Sequence, residues 1–159
     1  MTMSIMKTKI LATCLVLVCS TTDGCGIGWL QFKDKCYLFT NTQASWGTAQ
    51  IICGAFRSHL AEPKTKSESH CLMNHTDNLG GNFWIGISDI VKEGKWIYTS
   101  TQHPVVIHDF HPTNPNSQNI SDCVALRHDY QGHWSDEPCH TTFYFICEKE
   151  NVDHGLLIG

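Results

Sequence analysis

The sequence predicts an α+β domain, and three observations support this prediction. An aromatic hairpin pattern comes first, two amphipathic helix patterns follow, and short β-branched and aromatic runs make up the second half. Helices and strands that are segregated along the chain are typical of α+β folds rather than of alternating α/β folds. The 159 residues provide room for one domain of ordinary size.

Residues 1–24 are predicted to be a secretory signal peptide. Lys7 and Lys9 precede an apolar run over residues 10–19, and small residues suited to cleavage follow it. The run is too short to cross a bilayer core, which needs about 20 helical residues. We therefore expect a secreted, extracellular protein without membrane insertion.

The hairpin and the first helix follow from local patterns. Lys33-Asp34-Lys35 separates two aromatic runs and predicts a turn between strands. Thr42 is the expected N-cap of the first helix and Gly54 its expected end. Three residues fall on one apolar face of this helix: Trp46, Ala49 and Cys53.

The second helix begins with a clear capping signal. Thr65 and Glu68 form the pattern Thr-x-x-Glu, which predicts a capping box before a helix that runs toward Asn74. Five short runs after it predict strands, at 83–87, 96–98, 123–126, 133–134 and 143–147. The stretch 103–121 is rich in Pro, Asn, His and Ser, and long ordered loops of this kind are usually functional.

Charge and motifs exclude two classes of function. The net charge is −4 and no segment gathers basic residues, so nucleic acid is not an expected partner. The chain carries no nucleophile elbow, no His-Glu-x-x-His and no phosphate-binding loop, so an enzyme is not expected either.

Cysteine content predicts a disulfide framework. Of nine cysteines, Cys14 and Cys19 lie in the predicted signal peptide, which leaves seven in the mature chain. Secretion favours disulfides over zinc ligation, and an odd number leaves one cysteine over. Spacing alone does not select the pairing.

The residues together resemble the long form of the C-type lectin-like domain, and in particular the secreted perlucin-like lectins of invertebrates. The resemblance covers residues 25–150 and leaves 151–159 as a short C-terminal tail. It implies two helices with small antiparallel sheets, a long ligand loop and three disulfides. The residues that carry it are Trp29, Cys36-Tyr37, Trp46, Ala49, Cys53, Leu60-Ala61, Trp84-Ile85-Gly86, Gly94-Lys95-Trp96, Pro115, Cys123-Val124, Trp134-Ser135-Asp136, Cys139 and Cys147.

The resemblance also implies a disulfide pairing. The expected bonds join Cys25 to Cys36, Cys53 to Cys147, and Cys123 to Cys139, which leaves Cys71 unpaired. Cys71 is then either a buried thiol that packs as a small hydrophobe or the link of an intersubunit disulfide in a homodimer.

The resemblance implies a primary calcium and sugar site in the long loop. Sugar-binding relatives carry Glu-Pro-Asn or Gln-Pro-Asp with a cis proline, a Glu two residues before the cysteine, and Asn-Asp after the tryptophan. Here the corresponding residues are Asn114-Pro115-Asn116, Ser121 and Ser135-Asp136. Only Asn116 and Asp136 match as metal ligands of the mannose type, so weak calcium affinity is expected at this position.

An auxiliary calcium position is implied by Asp89, Glu93 and Asp122, with Ser117 in place of a fourth ligand. Three carboxylates could hold calcium. The alternative is that Asp89 caps a turn beside a solvated corner at Glu93-Gly94.

The sequence thus predicts a secreted lectin that binds glycans or glycoproteins at the long loop, with calcium as the expected cofactor. The predicted ligand contacts are Asn114, Asn116, Ser135 and Asp136. The alternative is a lectin-like interaction module that has lost sugar binding and recognises protein or mineral surfaces. Sequons at Asn74 and Asn119 predict a glycoprotein.

Overall fold

The computed structural model describes residues 24–116 and 120–151. Most of the predicted signal peptide, most of the predicted tail and the Asn119 sequon position lie outside these ranges. Neither helix within the two ranges combines the length and the hydropathy that a membrane span needs.

An antiparallel hairpin opens the described chain, as predicted. β1 spans Leu30–Phe32 and β2 spans Lys35–Phe39, with Leu30 opposite Tyr37. Lys33 occupies the turn with a positive φ of 55°. Lys33 and Asp34 form the predicted turn, whereas Lys35 is already the first residue of β2.

Helix α1 spans Trp46–Ala55 and buries the predicted face of Trp46, Ala49 and Cys53. Its N-cap is Ser45, whose hydroxyl accepts a hydrogen bond from the backbone N–H of Thr48. The prediction that Thr42 caps this helix is therefore wrong. The backbone just before Ser45 is extended, because Ala44 forms a β-bridge with Phe143.

Helix α2 spans Lys66–Leu79 and begins with the predicted capping box of Thr65 and Glu68. It continues five residues beyond Asn74 and ends at Gly80, whose φ of 72° is the left-handed cap conformation that glycine favours. Its inward face carries six buried residues: Glu68, Ser69, Cys71, Leu72, Met73 and Thr76.

Within the described ranges, eight strands form one connected β-structure. The further strands are β3 (His59–Leu60), β4 (Phe83–Ser88), β5 (Ile97–Tyr98), β6 (Cys123–Leu126), β7 (Trp134–Glu137) and β8 (Tyr144–Glu150). The order is β1-β2-β8-β4-β6-β7, with β3 paired to β8 and β5 paired to β4. The β4–β8 pair is parallel and the other pairs are antiparallel.

The core has two parts, one under each helix. Trp84 is fully buried under α1, and Trp134 is fully buried under α2. Trp96 lies just outside β5 and is only partly buried, where its ring stands 5.2 Å from that of Phe110. Phe110 also contacts Trp134 at 5.6 Å, so it anchors the long loop to the core.

The three predicted disulfides are confirmed, and they join Cys25 to Cys36, Cys53 to Cys147, and Cys123 to Cys139. Cys71 is buried on α2 and is disulfide-bonded as well. The expectation that Cys71 is unpaired is therefore wrong. Cys71 does lie in the core, but it is not a free thiol. A homodimer linked through it stays a prediction.

Candidate functional site

The long loop is fastened to β7 before it reaches the predicted ligand residues. The backbone N–H of Trp134 donates to the carbonyl of Asp109 at 3.0 Å, and the N–H of His111 donates back to Trp134 at 2.9 Å. The Asp109 carboxylate pairs with the Lys66 ammonium, which also donates to the His108 carbonyl at 2.6 Å. Helix α2 and strand β7 together fix the base of the loop.

Three of the predicted ligand residues meet at the end of this loop. The peptide bond between Asn114 and Pro115 is cis. The backbone N–H of Asn116 lies 3.1 Å from both carboxylate oxygens of Asp136. The Asn116 side chain donates to Asn114 Oδ1 at 2.8 Å and to the Thr113 carbonyl at 3.1 Å. Asn114, Asn116 and Asp136 therefore form one polar group, which we call the loop-tip site.

Ser135 is not part of the loop-tip site. Its side chain is buried, and its hydroxyl donates to Glu137 Oε1 at 2.9 Å. Glu137 in turn pairs with Arg127 at 2.7 Å. Adjacent residues of a strand point to opposite faces, so the side chains of Ser135 and Asp136 lie on opposite faces of β7. Ser121, at the position of the family's second glutamate, is also buried.

The acidic residues of the auxiliary position lie on two adjoining loops. The backbone N–H of Asp89 donates to the carbonyl of Asp122 at 3.1 Å, which brings the loops together. Asp89 Oδ2 accepts from the N–H of Gly94 at 2.8 Å, so the turn-capping interpretation is correct for this oxygen. Asp89 Oδ1 is buried without a hydrogen-bond partner.

The electrostatics at Asp89 are those of a crowded acidic site. Burial raises the pKa of the Asp89 carboxyl, and the negative charges of Glu93 and Asp122 raise it further against the opposing effect of the Gly94 N–H. A cation beside Oδ1 would relieve this crowding. In residues 24–116 and 120–151, however, no three His, Cys, Asp or Glu side chains are already arranged to hold a metal ion.

The two calcium positions differ in how well they fit an ion. Asp89 offers a buried oxygen with no donor, next to two further acidic residues. Asp136 offers a carboxylate whose two oxygens already accept from the Asn116 N–H. The chemistry of the donor set therefore fits calcium better at the auxiliary position.

Comparison with known proteins identifies the family. Residues 42–149 match the family described as Lectin C-type domain. The chain belongs to this C-type lectin family. It is 33% identical over 135 residues to perlucin of Haliotis laevigata, which covers 82% of this chain and 86% of perlucin. It is 32% identical over 126 residues to human C-type lectin domain family 17, member A, a match to 79% of this chain and 32% of that longer protein.

Solved structures share this C-type lectin fold. The carbohydrate-recognition domain of mouse scavenger receptor C-type lectin superimposes with a TM-score of 0.75 at 30% identity, over 81% of this chain and 98% of that domain. A calcium-independent type II antifreeze protein superimposes with a TM-score of 0.71 at 26% identity, over 80% of this chain and 95% of that chain. Proteins with different named properties therefore share the same C-type lectin scaffold.

Sequence reasoning missed the residues that hold the loop-tip site in place. Lys66 and Asp109 are 43 residues apart, and no local pattern indicates that they pair. Thr113 contributes a backbone carbonyl, which no side-chain motif could reveal. Of the two sequons, Asn74 lies exposed on α2, whereas Asn119 lies outside the described residues.

Proposed function

We propose that this chain is a secreted, non-enzymatic lectin that binds glycans at the loop-tip site. The observation that carries the proposal is the convergence of Asn114 and Asn116, on a loop fastened to the core, with Asp136 on β7. Two side-chain amides and a carboxylate offer the donors and acceptors that sugar hydroxyls need. The mouse relative that shares the fold is described as a carbohydrate-recognition domain.

Calcium enters this proposal at the auxiliary position rather than at the loop-tip site. Asp89, Glu93 and Asp122 would hold the ion, and the ion would supply positive charge between two loops. These three residues would then fix the loop that carries Asp122, which directly precedes β6. Sugar contacts at the loop-tip site depend on the amides and on Asp136.

A glycan array with the oxidised protein tests the proposal, in calcium and again with chelator. We expect binding to defined glycans, and we expect Asn114→Ala to reduce it at least about fivefold, since one hydrogen bond contributes about 1 kcal/mol. Asn78→Ala is the matched control, because Asn78 is exposed on α2 away from the loop. Equal binding by both variants would place the glycan elsewhere.

The second candidate is an interaction module that recognises protein or mineral surfaces without binding sugar. The loop-tip site holds a single carboxylate, and one structural relative is described as a calcium-independent antifreeze protein. Absence of glycan binding in both conditions would favour this candidate over the lectin.

A further inference from the structure

A cleft lies between α2 and the turn that joins β6 to β7, away from the loop-tip site. It is open to solvent and has a volume of about 530 Å³, within the range of small-molecule sites. Five of its lining side chains are polar and the sixth is a thioether: His70, Met73, Asn74, Asp77, Gln131 and His133. None of them belongs to the loop-tip site or to the auxiliary calcium position.

The walls of this cleft are held by close packing. Gly132 has a φ of 81°, and a Cβ there would come within 2.6 Å of the Met73 carbonyl oxygen. The turn therefore rests directly on the helix. Beneath it, Trp134 Nε1 donates to Ser69 Oγ at 3.1 Å, and this hydroxyl contacts Met73 Sδ at 3.6 Å. The floor and one wall of the cleft are consequently preformed.

The polar groups of the cleft are suited to hydroxyls. His133 Nδ1 lies 3.2 Å from the carbonyl oxygen of Asp109. A carbonyl only accepts, so Nδ1 donates to it, and Nε2 is the ring nitrogen left for a ligand. Asp77 pairs through Oδ1 with His128 at 3.1 Å, which leaves Oδ2 for another donor. The amides of Asn74 and Gln131 supply both donors and acceptors.

The length of the cleft excludes a single metal ion as the ligand that joins its two ends. His70 and Asp77 are seven residues apart on α2, which separates them by about 10 Å along the helix axis. A metal ion binds its ligands at about 2.0 to 2.6 Å and cannot bridge such a distance. A ring that carries hydroxyls around its edge can contact both ends of the cleft.

We propose that this cleft binds a pyranose sugar without calcium, as a second carbohydrate site. The sugar comes either from a glycan attached to Asn74, which lies in the cleft wall within the sequon Asn74-His75-Thr76, or from a free saccharide. The proposal does not depend on the loop-tip site, because the two share no residue.

The first experiment tests the free saccharide. Full-length oxidised protein made without glycosylation is titrated in chelator with N-acetylglucosamine, mannose or galactose, and the imidazole NMR signals of His70 and His133 are followed. We expect saturable shifts, with binding weakened at least about fivefold in His133→Ala. His70→Ala serves as the second variant if His133→Ala fails to fold. The matched control His140→Ala changes an exposed histidine outside the cleft and leaves binding unchanged.

The second experiment tests the attached glycan. Protein secreted from a eukaryotic cell is compared before and after enzymatic removal of N-glycans, with Asn74→Gln from the same cells as reference. A shift of the His70 and His133 signals, with His140 unchanged, assigns the sugar to Asn74. Asp136→Asn leaves either result intact even if glycan binding at the loop tip fails. No change at His70 and His133 in both experiments would overturn the proposal.

Discussion

At the scale of single residues, Trp84 contributes most to the core under α1. It is fully buried, its indole N–H donates to the Ala44 carbonyl at 3.0 Å, and its ring lies 4.8 Å from that of Phe143. Trp84→Ala is expected to lower the free energy of unfolding by about 3 to 5 kcal/mol, because it removes a large packed ring. Urea unfolding measures this loss, and Trp29→Ala, a partly buried tryptophan, is the comparison. A loss below about 1 kcal/mol would contradict the burial argument.

Single carboxylates also provide a test of the proposed calcium position. The charge of Glu93 acts on the Asp89 carboxyl, whose Oδ1 has no hydrogen-bond partner, whereas the Asp136 oxygens already accept from the Asn116 N–H. Calcium affinity rises with the number of anionic oxygens. Glu93→Gln is therefore expected to reduce calcium-dependent thermal stabilisation more than Asp136→Asn, while Asp136→Asn reduces glycan binding instead.

A series of melting curves over calcium concentration measures both effects, because stabilisation grows as RT ln(1 + [L]/Kd). The comparison between the two variants is matched, since each removes one negative charge with little change of volume. If Asp136→Asn loses the calcium response and Glu93→Gln keeps it, the calcium position is at the loop tip and the proposed auxiliary position is wrong.

At the scale of elements, the sequence predicts what is decided locally. Thr65 and Glu68 define the start of α2 because both halves of the capping box lie within one turn. The parallel pairing of β4 with β8 joins segments far apart in the chain, and no short pattern indicates it. The predicted ligand residues Asn114, Asn116 and Asp136 meet at the loop tip. The alternation of β7 instead turns Ser135 toward Glu137.

The start of α1 gives a test of this distinction. Thr42 has the right residue type for a cap, yet the bridge between Ala44 and Phe143 keeps the backbone extended up to Ser45. Ser45→Ala is expected to lower the free energy of unfolding by about 1 kcal/mol, because the Thr48 N–H loses its acceptor. Thr42→Ala should remain within about 0.5 kcal/mol of wild type. Chemical unfolding of both variants decides, and equal losses would refute the assignment of the cap.

At the scale of the whole molecule, the disulfide between Cys53 and Cys147 ties α1 to the last strand across a separation of 94 residues. Loop-closure entropy makes such a bond worth about 4 to 5 kcal/mol, against about 3 kcal/mol for the Cys25–Cys36 bond with its separation of 11 residues. Cys53→Ala is therefore expected to be more destabilising than Cys25→Ala. The two variants are compared by secretion yield and melting temperature. A Cys53→Ala protein that melts like wild type would contradict this ranking.

A buried ionic group joins β2, α2 and β8. The Lys35 ammonium on β2 lies 2.6 Å from Glu68 on α2 and 2.9 Å from Glu148 on β8. Burial alone would lower the pKa of Lys35, but the charges of Glu148 and Glu68 outweigh it and raise that pKa. Burial likewise opposes ionisation of Glu68, yet Lys35 and the Lys64 N–H bring its pKa below the usual value. For Glu148 burial prevails, and its pKa is raised.

Removing the ammonium should raise the pKa of both Glu68 and Glu148, so acid should stabilise the variant relative to wild type. Lys35→Met leaves two buried carboxylates without a cation, which is expected to cost about 3 to 5 kcal/mol at pH 7. Both carboxyl groups then have folded-state pKa values above those of the unfolded chain, so the folded variant binds more protons as pH falls. In wild type the stabilising contribution of Glu68 stays complete down to the usual glutamate pKa of 4.5 and is lost only below it, because folding lowers the pKa of Glu68. The stability gap between variant and wild type should therefore narrow from pH 7 to about pH 5, as measured by urea unfolding. The control is Lys33→Met, which changes an exposed lysine in the adjacent turn and should show a small stability gap to wild type that does not change with pH. A stability gap for Lys35→Met that stays constant or widens in acid would refute the role of Lys35.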